Sequence, residues 1–184
     1  FWSAVIKETV WPESHFYMIE ADPECKSYLE ATGFPHETAA LASSERDATF
    51  YKCQTGSGEG NSLFPENSVH PFIPVSVRTK TLDALFPDGT FDLIKMDCQG
   101  AELDIIAGGL GLVSRAQFLL LETQFQTYNK GAPLSHEVCA TLGSLGWRLY
   151  DIVDFHYTSR GILNQVDFLF AKKDCSLFSQ GPIA

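Results

Sequence analysis

The run Phe91-Asp92-Leu93-Ile94-Lys95-Met96-Asp97 brings apolar positions up to a carboxylate, and Cys98-Gln99-Gly100 then turns the chain into the helical pattern Ala101-Glu102-Leu103-Asp104-Ile105-Ile106. Two other apolar runs end in acids: His15-Phe16-Tyr17-Met18-Ile19-Glu20 and Phe118-Leu119-Leu120-Leu121-Glu122. In an open α/β sheet, ligands sit outside the carboxyl ends of the strands. One acid at such a place often does no more than cap a helix or face a solvated turn. Three of them, Glu20, Asp97 and Glu122, predict a shared cleft with a negative bias. Carboxylates accept hydrogen bonds and offset cationic charge, so the cleft suits a ligand with hydroxyls and a positive centre, such as a nucleotide ribose and a sulfonium or amine.

The elements that must position these acids alternate between short apolar runs and helical patterns, the signature of βαβ units and a mostly parallel sheet. Phe1 to Val10 has the spacing of an amphipathic helix, broken at Trp11-Pro12. After the Glu20 strand, Asp22-Pro23-Glu24 opens a helix that Gly33 closes. Glu37 to Ala42 is read as a third strand and Ala48 to Cys53 as a fourth extended segment. Gly56 to Ser62 is read as a flexible loop and candidate lid. Val75 to Lys80 is extended and Thr81 to Phe86 a short helix. The helix after Asp97 is expected to stop at Gly108-Gly109. Phe118 to Glu122 is continuously apolar, as in a central strand buried on both faces. Ser135 to Gly146 is a helix. Arg148 to Val153 and Val166 to Ala171 follow without an intervening helix, which favours an antiparallel pair at the sheet edge.

Composition limits the partners. The 184 residues are 45% hydrophobic and 12% aromatic, enough for one core, so a single domain over 1–184 is expected. A net charge of -10 and the lack of any basic run argue against nucleic acid. Cys25, Cys53, Cys98, Cys139 and Cys175 are scattered without C-x-x-C or zinc-finger spacing, which reads as reduced thiols in a cytoplasmic protein. No apolar run approaches the ~20 residues of a membrane span, and the first residues do not resemble a signal peptide.

Thr81-Leu82-Asp83, the run from Asp92 to Leu103, Gly108 and Leu119-Leu120-Leu121-Glu122 together resemble the FkbM-type methyltransferases. Gln165-Val166-Asp167-Phe168-Leu169-Phe170 is similar to that family's terminal strand, and Glu20-Ala21-Asp22-Pro23 to its second strand and turn. The resemblance runs from Phe16 to Lys172. It implies a Rossmann-like sheet of seven strands, the last antiparallel, and an S-adenosylmethionine-dependent methyltransferase. Carried over by residue, it assigns Glu20 to the ribose hydroxyls, Ala21 and Asp22 to the side of the adenosine, Leu41 and Ala42 to the adenine, and Asp97 to the meeting of cofactor and acceptor. A helix cap is the competing reading of Asp22. The family's glycine-rich turn should lie about 20 residues before Glu20, at or before Phe1, so the first strand is expected to precede this sequence.

Asp97 and then Glu122 are the candidate catalytic acids, receiving a proton from a small-molecule or glycan-type acceptor methylated on oxygen or nitrogen. Lys95, in a buried strand, is expected to pair with Glu122 or Glu102. His70 and His156, placed in loops, are secondary candidates for proton transfer, and Cys98 is read as a small buried thiol. No compact ligand spacing supports a metal, so none is expected. Acceptor selectivity is assigned to the loops 56–72 and 125–134, with Phe64, Phe72, Phe125 and Tyr128 as an apolar wall. Two other classes fit the same residues: a nicotinamide-dependent oxidoreductase, and a non-catalytic interaction domain on a methyltransferase fold.

Overall fold

A computed structural model describes residues 2–54 and 60–179 of the chain. Helix α1 (Trp2–Thr9) leads to strand β1 (Met18–Glu20), whose acid is its last residue. Asp22 caps the turn that follows: its carboxylate accepts the Glu24 N–H at 3.0 Å, and Pro23 fills the first helical position. Helix α2 (Lys26–Thr32) ends at Gly33, whose φ of +68° closes it in the left-handed region.

The expected third strand is two strands. β2 (His36–Thr38) pairs parallel with β1, while β3 (Ala40–Leu41) pairs parallel with β5 (Phe72–Lys80). The break falls at Ala39, whose N–H still reaches Glu20 O at 2.9 Å before the chain changes partner. β4 (Asp47–Cys53) is antiparallel to β5. Helix α3 (Leu82–Leu85), capped by Thr81, leads to β6 (Leu93–Met96), and helix α4 (Glu102–Ala107) follows the Asp97 turn.

Helix α4 stops at Gly108-Gly109 as expected, and a further helix, α5 (Leu110–Arg115), starts immediately after them. The two glycines serve close packing. A Cβ on Gly108 would lie 2.1 Å from Ala42 O, and one on Gly109 2.6 Å from Leu82 Cβ. The Asp83 carboxylate, far back in the chain, accepts the Gly111 and Leu112 N–H groups at 3.0 and 2.7 Å. That remote cap explains why local spacing misses the helix.

β7 (Phe118–Gln124) is the buried centre of a four-stranded sheet ordered β6-β7-β9-β8, with β8 (Trp147–Tyr157) at the edge and β9 (Leu163–Lys172) beside β7. Helix α6 (Ser135–Ser144) connects β7 to β8. β9 is antiparallel to both neighbours, as expected of the last strand. In this sheet β6, β7 and β8 share one direction and β9 alone opposes them, since it is antiparallel to both β7 and β8. Three strand pairs are parallel (β1–β2, β3–β5, β6–β7) and three antiparallel (β4–β5, β7–β9, β8–β9), so the described sheets are mixed. The core joins Ile105, Ile106, Leu112 and Val113 of α4 and α5 to Leu119, Leu121, Phe168 and Phe170 of the sheet and Leu142 of α6. An apolar cleft of about 150 Å³, lined by Tyr17, Ile19, Leu93 and Met96, separates β1 from β6.

Candidate functional site

A cleft of about 1290 Å³ opens where β1, β3, β6 and β7 deliver their carboxyl ends, and it is lined by Glu20, Asp97 and Glu122. The strand-end reasoning therefore brings all three acids to one place, although Glu122 lies inside β7 rather than at its end. Ala21 and Leu41 also line the cleft. Ala42 is fully buried beneath it, against Gly108.

Asp22 is buried and is not among the residues that line the cleft; its carboxylate is held in a polar network. Its Oδ1 meets Lys52 Nζ at 2.9 Å, and its Oδ2 accepts from Asn61 Nδ2 at 2.8 Å. Lys52 also reaches Glu24, at 2.8 Å. Asp22 thus caps and anchors rather than lining the cavity.

Glu20 lines the cleft together with Ile19, Ala21, Ala40 and Leu41. Its Oε1 accepts the Asp22 N–H at 2.8 Å, and no cation faces it among the described residues. Burial raises its pKa, with the Asp22 and Asp97 charges adding to the effect against two backbone hydrogen bonds. A fixed carboxylate beside small apolar side chains fits a ribose and its base.

Asp97 and Glu122 form a hydrogen-bonded polar cluster in the same cleft. Gln99 Nε2 donates to Asp97 Oδ1 at 3.0 Å and to Glu122 Oε1 at 2.7 Å, and Gln165 Nε2 donates to the same Glu122 oxygen at 2.6 Å. The Gln99 backbone has φ +51°, a left-handed value uncommon outside glycine, and the turn it makes aims its amide at both acids. Burial, then the Asp97 and Asp167 charges, push the Glu122 carboxyl up to about 8. Spacing does not reveal the glutamines' hold on Glu122, because each reaches it from another segment of the chain.

Lys95 pairs with Asp97, Nζ to Oδ2 at 3.1 Å, and not with Glu122 or Glu102. Residues two apart on a strand share a face, which puts this lysine beside the aspartate that ends its own run. Glu102 instead accepts the Cys98 and Gly100 N–H groups at 2.9 and 3.3 Å. That closes the turn under Asp97. Burial also holds the Cys98 thiol well above the ordinary range, in keeping with an inert core thiol.

His156 belongs to β8, which is longer than the sequence suggests, and His70 lies in the segment before β5; both line the cleft. Of the expected aromatic wall, Tyr128 lines the cavity. Phe125 packs edge-on against Phe168, Phe72 starts β5, and Phe64 packs on the core.

Residues 56–59 of the expected lid lie outside the described residues. The described remainder is pinned: Ser62 exchanges backbone hydrogen bonds with Tyr51, and its hydroxyl donates to Gln99 O at 2.8 Å. Asn129 Nδ2 reaches Phe64 O at 3.1 Å from the other side.

Residues 1–149 match the family model described as "Methyltransferase FkbM domain". A curated relative, the 2-O-methyltransferase NoeI of Sinorhizobium fredii, is 27% identical over 140 residues, covering 65% of this chain and 58% of that protein. The chain thus spans somewhat under two thirds of the length of the curated relative it matches. No solved structure matches significantly. No helix among the described residues is long and apolar enough to cross a membrane.

Proposed function

The chain belongs to the FkbM methyltransferase family, and from that premise we propose that it transfers a methyl group from S-adenosylmethionine to a hydroxyl of a small-molecule or glycan-type acceptor. When bound, that cofactor supplies an electrophilic methyl on a sulfonium, which an oxygen nucleophile displaces in line. The strand order β6-β7-β9-β8 with its antiparallel β9 supports a Rossmann-like sheet under the site. Oxygen is favoured as the acceptor atom because the named relative is a 2-O-methyltransferase.

The observation that carries the reading is that one cleft holds both a carboxylate beside small apolar side chains, Glu20, and a hydrogen-bonded acid cluster, Asp97 with Glu122. The cleft's ~1290 Å³ exceeds what a single drug-sized ligand fills, leaving room for cofactor and acceptor together. Glu20 would hold the ribose hydroxyls with Ala21 and Leu41 along the nucleoside, and Asp22 keeps that strand end in place. Asp97, 45% exposed, would accept the acceptor's hydroxyl proton as the new carbon–oxygen bond forms. Glu122, Gln99 and Gln165 orient the acceptor through hydrogen bonds, which raises the rate chiefly by positioning.

Calorimetric titration of S-adenosylmethionine into the full-length protein tests the reading, with a nicotinamide dinucleotide as control. Saturable binding is expected for the former alone, about 10- to 100-fold weaker in Glu20→Ala, the loss of a charge-assisted hydrogen bond pair. A folded protein that binds neither would favour a non-catalytic interaction domain. Preference for the dinucleotide would favour an oxidoreductase.

A further inference from the structure

Glu122, His156 and Asp167 reach one point from three neighbouring strands. Glu122 and Asp167 are direct cross-strand partners on β7 and β9, and a register shift at His156/Tyr157 accompanies the arrival of His156 from β8. His156 Nε2 lies 3.7 Å from Glu122 Oε2 and 3.7 Å from Asp167 Oδ1, and one ligand atom of each residue lies within 4.8 Å of the others. These separations are too long for hydrogen bonds. They are close to those around a cation: a tetrahedral ion with bonds of about 2.1 Å holds its ligand atoms about 3.4 Å apart.

A second, independent observation points the same way. Asp167 Oδ1 is the buried side-chain oxygen that has no hydrogen-bond partner among the described residues, and it faces this point. Glu122 is meanwhile held by its other oxygen, since Gln99 and Gln165 both donate to Oε1 and leave Oε2 toward His156. Outer partners commonly orient metal-binding carboxylates in this way. Two carboxylates directly opposite on adjacent strands repel, and the amine of Lys95, bonded to Asp97, acts on the Asp167 charge as well but leaves its Oδ1 without a hydrogen bond.

We propose that Glu122, His156 and Asp167 form a divalent-cation site beside the cleft's polar cluster, with open positions toward the acceptor's hydroxyl oxygens. An imidazole with two carboxylates suits a first-row ion such as Mn²⁺ or Zn²⁺ better than Ca²⁺ or Mg²⁺, which prefer oxygen throughout. The ion offsets the paired carboxylates and lowers the pKa of a bound hydroxyl, so that Asp97 takes its proton more readily. The acceptor role rests on the methyl-transfer reading above; the metal site does not. Compact spacing could not reveal it, because 34 residues separate Glu122 from His156 and 11 separate His156 from Asp167.

The test titrates Mn²⁺ into chelator-treated full-length protein, following the free-ion electron paramagnetic resonance signal, with Zn²⁺ as competitor. One Mn²⁺ per chain, displaced by Zn²⁺, is expected. Asp167→Asn and His156→Gln should each lose that stoichiometric binding while keeping cooperative unfolding and S-adenosylmethionine affinity. The half-exposed His156 provides the variant least able to disturb folding. No binding by the folded wild type, or binding unchanged in both variants, overturns the site. Metal binding without cofactor binding would sink the methyl-donor reading alone, and cofactor binding without metal would sink the site alone.

Discussion

Gln99 Nε2 lies 2.7 Å from Glu122 Oε1, and the peptide that delivers it has φ +51°. A residue in this region costs on the order of 1 kcal/mol, so the turn gives up stability to aim an amide at an acid of the neighbouring strand. Gln99→Gly should therefore leave stability within about 1 kcal/mol of wild type, since relief of strain offsets the added freedom of the unfolded chain. Methyl transfer should fall ~10-fold or more with cofactor affinity nearly unchanged. Urea unfolding and steady-state rates check both halves, and full activity in this variant would remove Gln99 from the site.

Gly100 makes the next step of the turn at φ +98°, and a Cβ there would lie 2.3 Å from the Ala132 Cβ. Gly100→Ala meets both backbone strain and overpacking, with an expected loss of about 3 kcal/mol. A thermal melt within a few degrees of wild type would show that the turn relaxes more easily than this packing suggests.

Glu102 sets a pH dependence. Burial outweighs its hydrogen bonds to the Cys98, Gly100 and Glu102 N–H groups and pushes its carboxyl from 4.5 up to about 7. Between these values the unfolded chain has released a proton that the folded chain still holds. Stability therefore falls as pH rises through this window, by ~3 kcal/mol at most, and the penalty is complete above about 7. Glu102→Gln keeps an acceptor for the two turn N–H groups and should remove this slope. Denaturant midpoints measured at both ends of the window that shift in parallel for the two proteins would mean that Glu102 does not titrate there.

The Asp22 carboxylate, 4% exposed, relies on Lys52 for its charge. Lys52→Met leaves it buried without a cation and should destabilise the fold by about 3 kcal/mol. Asp22→Asn combined with Lys52→Met should recover part of that loss, because the uncompensated charge is gone. Equal stability of the single and double variants would show that the ion pair contributes little.

The sequence makes the acid-bearing strands legible because their cause is local. Apolar residues run unbroken through Leu119-Leu120-Leu121 to Glu122, and through Leu93, Ile94 and Met96, interrupted by Lys95 alone, before Asp97, as a buried strand requires. The antiparallel hairpin of β8 and β9 is legible for a similar reason, since no helix separates them. Helix α5 is not legible: its cap is Asp83, and Gly108 is dictated by the approach of Ala42 O. The mixed sheets are hidden as well, because alternation along a strand carries no record of its neighbour's direction.

Residue type and spacing by themselves determined that Glu20, Asp97 and Glu122 would face one cleft, and that the Asp97 turn needed a glycine, although Glu122 lies inside β7 and not at its end. Only the tertiary structure decided what those acids touch: Lys95 on Asp97, Gln99 and Gln165 on Glu122, and His156 facing Glu122 and Asp167. The division follows from range. Strand formation and capping act over a few residues, whereas cross-strand partners depend on register, which distant burial and the irregularities of β8 set together.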